Sequence, residues 1–202
     1  MRIEHRSSFA IRCLQIPYLY CIIQLKKNQM RILILGGHGF IGCHTSDILK
    51  QQGHTIGVVD CYHQYYTFPD KEYFPILQIR KDHANSDQTF VGKIEDESFM
   101  ATVFQEFKPT VVIHLATYPN AKMVARNVTD ATNNMVTATA IILNLCVKSN
   151  VKRFVFASSS MAYGEFNGGI PDETVICNPN TLYGSYKHQG ERMCQIWNRE
   201  HG

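Results

Sequence analysis

No two of the seven cysteines stand as a Cys-x-x-Cys pair, and the nine histidines show no metal-ligand spacing. An odd set of scattered thiols argues against a disulfide framework and for reduced cysteines in the cytoplasm, with no metal site expected. No apolar run approaches the ~20 residues of a membrane span; Tyr18–Ile23 is the nearest, and Pro17 interrupts its approach. It is not followed by the small-residue cleavage site of a secretory signal. Repeats and low-complexity tracts are absent. A strong charge excess is also missing: the net charge is +3. Residues 1–29 hold five basic groups against Glu4, a net of +4, so residues 30–202 carry a net of −1. The basic balance therefore belongs to the N-terminal stretch and gives no reason to expect a nucleic-acid partner or a membrane surface. What remains is 202 residues, 45% hydrophobic and 18% charged, the composition of one globular domain with a real core. Met30 directly precedes the first strand-like run. Residues 1–29 are read as a disordered tail or a non-native start, and residues 30–202 as the domain.

The informative segment is Arg31-Ile-Leu-Ile-Leu-Gly-Gly-His-Gly-Phe-Ile-Gly42. A short apolar run ends in Gly36, Gly39 and Gly42, and an amphipathic segment follows. This is how strand, tight turn and helix are written around a pyrophosphate. Gly36 permits the sharp turn, Gly39 removes the side chain that would block the phosphates, and Gly42 lets the helix pack close to the strand. The helix N-terminus adds free N–H groups and a positive dipole end. The next strand-like run ends in Asp60, 18 residues beyond Gly42. An acid there accepts from the adenosine ribose hydroxyls and repels a 2′-phosphate. No Arg or Lys follows it until Lys71, which favours NAD over NADP. His38, inside the glycine turn, reads as a tolerated exposed side chain.

Strand-like runs at Arg31–Leu35, Thr55–Asp60, Thr89–Val91, Val111–Ala116 and Arg153–Ser158 alternate with helix-like runs. The helices are expected at Phe40–Gln52, Glu97–Phe107, Thr129–Ser149 and Leu182 to about Arg199. Such alternation predicts an α/β, Rossmann-type doubly wound parallel sheet with helices on both faces. Residues 61–88, with Tyr65, Tyr66, Pro69 and Pro75, read as a long irregular connection with at most a short helix.

A second constellation lies downstream. The strand at Arg153 ends in Ser158, Ser159 and Ser160, and Tyr183 and Lys187 are four apart on a helix and so share a face. A phenol is a poor base at neutral pH, and a nearby ammonium is expected to stabilise its phenolate. A strand-end serine can hold a substrate hydroxyl while the tyrosine exchanges its proton. A second Tyr-x-x-x-Lys, Tyr118 to Lys122, contains Pro119 and reads as loop.

Together these pieces resemble an extended short-chain dehydrogenase/reductase of the NAD-dependent epimerase/dehydratase group. The matching stretches are Gly36–Gly42, Val59-Asp60, Val112-Ile-His-Leu-Ala116, Asn134, Phe154 to Gly164 and Pro179 to Lys187. The resemblance implies NAD held by Gly36, Gly39, Phe40, Ile41, Gly42, Asp60, Ile94, Leu115, Ala116, Asn134, Tyr183 and Lys187. It implies Ser159 (with Ser160 as the fallback) on the substrate, Tyr183 as acid/base, and Lys187 as its partner. Ser160-Met161 stands where sugar dehydratases carry Asp-Glu, and Asp60 to Tyr66 is similar to the Tyr-Tyr segment of UDP-glucuronate 4-epimerases. The expectation is a UDP-sugar 4-epimerase. The alternatives are a non-catalytic NAD-binding fragment and an NADP-dependent 4-keto-sugar reductase. Four departures stand out: Leu35 for a usual Thr, Lys93 for a usual Asp near adenine, Thr137 for a frequent Gly, and a chain that stops at Gly202. The last implies a missing substrate subdomain. By analogy, Thr129–Ser149 and Leu182–Arg199 are the helices for a homodimer.

Overall fold

The computed structural model describes residues 29–66, 69–165 and 172–202. The reading of residues 1–29 as a tail falls, Gln29 apart, outside the described residues. Five strands form one sheet in the order β3-β2-β1-β4-β5, every neighbouring pair parallel. They are β1 (Arg31–Leu35), β2 (Thr55–Asp60), β3 (Gln88–Val91), β4 (Val111–His114) and β5 (Arg153–Phe156). The helices are α1 (Phe40–Gln51), α2 (Asp70–Ala84), α3 (Glu97–Phe107), α4 (Ala121–Arg126), α5 (Val128–Thr132), α6 (Ala138–Lys148) and α7 (Leu182–His201). Between α5 and α6 the residues Asn133–Thr137 form one π-helical turn.

The strand alternation sorts the core. Leu33 and Leu35 face one side of the sheet, with Phe104, Phe107, Ile142, Phe154 and Cys194; Ile32 and Ile34 face the other, with Leu49, Ile56 and Val58. All four residues of β4 are buried, as a central parallel strand covered on both faces requires. Helix α3 shows the clearest pattern. Met100, Val103, Phe104 and Phe107 fall on one stripe, Asp96 caps the start by accepting from the Phe99 N–H at 3.0 Å, and Lys108 ends it in the left-handed region. No helix of the described residues is long and apolar enough to cross a membrane.

The expected strands stand within two residues, but the connection 61–88 is corrected: it contains the 15-residue α2. Pro69 stands at its N-cap and Asp70 and Glu72 occupy its first turn, where the helix dipole favours acids. Only Leu77 and Ala84 are buried, so the helix leaves almost no apolar period to read, and Pro75 sits inside it. Helix α4 was likewise not expected; Asn120 caps it by accepting from the Met123 N–H at 3.1 Å. It puts Lys122 of the second Tyr-x-x-x-Lys on a helix, not in a loop.

Candidate active site

The strand carboxyl ends open along one edge of the sheet, and β1 there has β2 on one side and β4 on the other. The chain runs outward from β1 through β2 to β3 and then crosses back to β4 on the other side of β1, and this reversal of strand order makes the crevice where open α/β sheets take ligands. The glycine turn lies in it. Gly36 has φ +78°, and a Cβ there would stand 2.8 Å from the Ala116 N. The approach is that close because the Leu115 and Ala116 N–H groups both donate to the Leu35 carbonyl, at 2.9 and 2.8 Å. A Cβ on Gly42 would meet the Gly37 Cα at 2.6 Å, so α1 can lie against the turn only without a side chain there. Helices α3 and α7 have side-chain caps; α1, starting from Gly39, has none. Its first-turn N–H groups therefore stay available to an anion, beside the exposed Phe40 and Ile41.

Asp60 ends β2 beside this turn. One carboxylate oxygen accepts from the His38 N–H at 3.1 Å, the other from the Tyr62 N–H at 2.9 Å. His38 is not exposed: it is 3% accessible and stacks on Tyr62, rings 14° from parallel, with Nδ1 3.1 Å from the Tyr62 hydroxyl. Burial pushes its pKa below the usual imidazole value. Lys81 of α2 sets its ammonium over the Tyr62 ring, 4.1 Å from the centroid. Tyr62 and Lys81 were not foreseen. Lys81 lies in the helix that the sequence did not disclose, and Tyr62 in the loop before it.

Ile94 is buried in the turn after β3, and Asn134 is buried in the π-turn, donating to Glu95 at 3.4 Å. The Asn134 Oδ1 and Thr117 Oγ1 are buried with no hydrogen-bond partner among the described residues. Two orphaned acceptors at the crevice, an uncapped helix, a cradle that a Cβ would fill and an acid at the end of β2 form a set of donors and acceptors that a dinucleotide can satisfy.

On the β5 side, Ser159, Tyr183 and Lys187 converge. The Thr181 side chain starts α7 by accepting from the Gly184 N–H at 3.1 Å, which fixes where Tyr183 stands. Tyr183 and Lys187 are both buried, and the Lys187 Nζ lies 5.9 Å from the Tyr183 ring centroid. That ammonium donates to the Ala157 carbonyl at 2.8 Å, and burial brings its pKa down to about 8. Burial also raises the Tyr183 phenol; the hydrogen-bonded Ser159 hydroxyl works the other way. Desolvation outweighs the Ser159 hydrogen bond, and the phenol moves opposite to the direction expected from the ammonium. Ser159 also accepts from the Met161 N–H at 3.2 Å, whereas the exposed Ser160 only begins the short 3-10 turn Ser160–Ala162. Behind the trio, Ser158 donates to the buried Glu191, one turn beyond Lys187 on α7. Glu191 was missed, although its place four residues after Lys187 puts it on the same face. The rival Tyr118 is held by Asp130: burial, then that carboxylate, push its phenol up to about 12, and Lys122 is exposed.

Comparison with known proteins gives the family and the fold. Residues 32–202 match the family described as the NAD dependent epimerase/dehydratase family. The chain is 32% identical over 171 residues to the UDP-glucose 4-epimerase of Halalkalibacterium halodurans, covering 81% of this chain and 45% of that protein. It is 27% identical over 181 residues to UDP-glucuronate 4-epimerase 2 of Arabidopsis thaliana, covering 87% and 40%. Among solved structures, the Thermus thermophilus UDP-glucose 4-epimerase complex with NAD superposes with a TM-score of 0.72 at 26% identity, over 86% of this chain and 52% of that one. The chain thus spans about half the length of these relatives.

Proposed function

The chain belongs to the NAD-dependent epimerase/dehydratase family, and on that premise we propose that it carries the cofactor and catalytic half of a UDP-sugar 4-epimerase. The observation that supports this most is the convergence of Ser159, Tyr183 and Lys187 on the sheet edge that also bears the glycine turn and Asp60. The residues that would hold the dinucleotide are Gly36, Gly39, Phe40, Ile41 and Gly42 at the pyrophosphate, and Asp60 at the adenosine ribose. Ile94, Leu115, Ala116 and Asn134 would line it, with Tyr183 and Lys187 at the reacting end. When bound there, NAD⁺ would supply the hydride acceptor and donor for oxidation and re-reduction at the sugar C4.

The chain's own residues handle the proton and the positioning. Ser159 holds the C4 hydroxyl. The Tyr183 oxygen removes its proton as the carbon is oxidised and returns it after the keto sugar has turned over. Lys187 supplies positive charge beside the phenolate at no cost in reorganisation, being fixed by the Ala157 carbonyl. The names of the relatives in two classes, glucose and glucuronate, make both UDP-sugars the substrates to try.

The test is calorimetric titration of the 202-residue protein with NAD⁺ and NADP⁺, followed by incubation of the NAD⁺ complex with UDP-glucose and UDP-glucuronate and chromatography of the epimers. Preference for NAD⁺ with epimer formation is the expected result. Equal or tighter NADP⁺ binding removes the Asp60 argument. NAD⁺ binding without epimer refutes catalysis by this chain.

A further inference from the structure

Three potential metal ligands meet beside α7, just beyond Lys187 along the helix. His188 and Glu191 are one turn apart on the helix, and Cys177 reaches them from residues 172–181, the segment that leads into it. One ligating atom from each — imidazole nitrogen, thiol sulfur, carboxylate oxygen — lies within 4.8 Å of the other two. We propose that Cys177, His188 and Glu191 bind a divalent transition-metal ion, zinc being the best match.

The donor set is the first argument. Thiolate, imidazole and carboxylate are the three protein ligands of tetrahedral zinc, and three of them leave a fourth position for water. Magnesium and calcium want oxygens only, so a cysteine here selects against them. The second argument is the support behind the ligands. Glu191 is 7% accessible, and its other oxygen accepts from Ser158, the kind of outer hydrogen bond that orients a metal-bound carboxylate. His188 Nδ1 already stands 3.3 Å from the Glu191 Oε2, close to the separation of two ligands on one tetrahedral ion. Bonds of ~2.0–2.3 Å require the three atoms to draw together by about 1 Å. Cys177 and His188 are only half-buried and can move by that much, while Glu191 stays as the anchor. The neighbour of Cys177 is tied down, since the Asn178 N–H donates to the Tyr163 carbonyl at 3.2 Å. The ion–ligand bonds would clip the segment before the Thr181 cap to the helix it caps.

Spacing along the chain conceals this site. Only His188-x-x-Glu191 is local, and the thiol comes from a loop. The His188–Glu191 pair alone would be a plain hydrogen-bonded contact; the thiol beside it is what asks for a metal.

The test uses the 202-residue protein freed of metal by chelator, titrated with Zn²⁺ by calorimetry and with Co²⁺ by absorption spectroscopy. One ion per chain is expected, with a cobalt–thiolate charge-transfer band that Cys177→Ser abolishes. His188→Ala should weaken Zn²⁺ binding by at least the ~10–100-fold that loss of an outer-sphere partner costs. Cys61→Ser, at an exposed thiol elsewhere, should change neither. Matching circular dichroism and metal-free melting of the variants guards against misfolding. A band that survives Cys177→Ser, or the absence of 1:1 binding, overturns the proposal. So does loss of binding in His83→Ala alone, which would assign the ion to the His44–His83 pair, 2.7 Å apart on α1 and α2.

Discussion

Lowering the pH from about 7 to about 5 should remove about 2 kcal/mol of folding stability through a single side chain, His114. This imidazole ends β4 between the rings of Phe154 and Phe156; it is 2% accessible, with Nε2 3.3 Å from the Thr139 hydroxyl. Its Nδ1 is buried without a partner among the described residues. Burial first, then the positive charge of Lys187, bring its pKa down to about 3. In the unfolded chain the same group titrates near ~6.5. As the pH falls below that value the unfolded state takes up a proton that the native state refuses, so stability is lost through the window from 6.5 down to about 3. At pH 5 the unfolded chain gains about 2 kcal/mol, and this holds for any native value well below 5. The assay is urea unfolding of wild type and His114→Gln at the two pH values. His38 and His54, also lowered by burial, add the same slope to both proteins and cancel in the comparison. The variant's absolute stability is irrelevant; only its pH slope counts. Equal slopes in the two proteins would refute the reasoning.

Two further substitutions address the cofactor crevice. Gly36→Ala combines the left-handed penalty of ~1–2 kcal/mol with a Cβ 2.8 Å from the Ala116 backbone, an overpacking cost of ~1–3 kcal/mol, so urea unfolding should show a loss of roughly 2–5 kcal/mol. A loss under about 1 kcal/mol would mean the β1–β4 crevice is looser than described. Asp60→Ala removes a charged acceptor from the crevice and should weaken NAD⁺ binding by ~10–100-fold in calorimetry, the equivalent of ~1.5–3 kcal/mol; unchanged affinity would show that the carboxylate serves only the His38 and Tyr62 N–H groups.

The sheet was legible because each strand is written as a compact apolar run and β4 has no polar face to confuse the period. The glycine turn was legible because steric demand selects glycine by position: Gly36 and Gly42 are pressed against backbone, and the sequence shows that demand directly. Helix α2 was not, because a helix that buries only Leu77 and Ala84 carries no stripe, and Pro69 and Pro75 read as breaks. The error on His38 follows from that. Its cover is Tyr62, with Lys81 of α2 above, and neither contact exists at the level of the turn alone. Ser159, Tyr183 and Lys187 were visible as a spacing, but the sign of the Tyr183 shift was not. The spacing places the ammonium near the phenol; it does not give the depth of burial that sets the sign.

The π-turn at Asn133–Thr137 gives the helical rod after α4 a seam. A π-turn holds one residue more than the α-helix allows, so the faces before and after it are offset by one residue, or ~100° of rotation. Removing one residue from 133–137 would restore an unbroken α-helix and still aim either Asn134 or the core-facing Ile142 and Leu143 at the wrong side. The surplus residue lets one rod satisfy two surfaces at once, the crevice ahead of the seam and the sheet behind it. It makes this helix sensitive to changes in length that most surface helices would absorb.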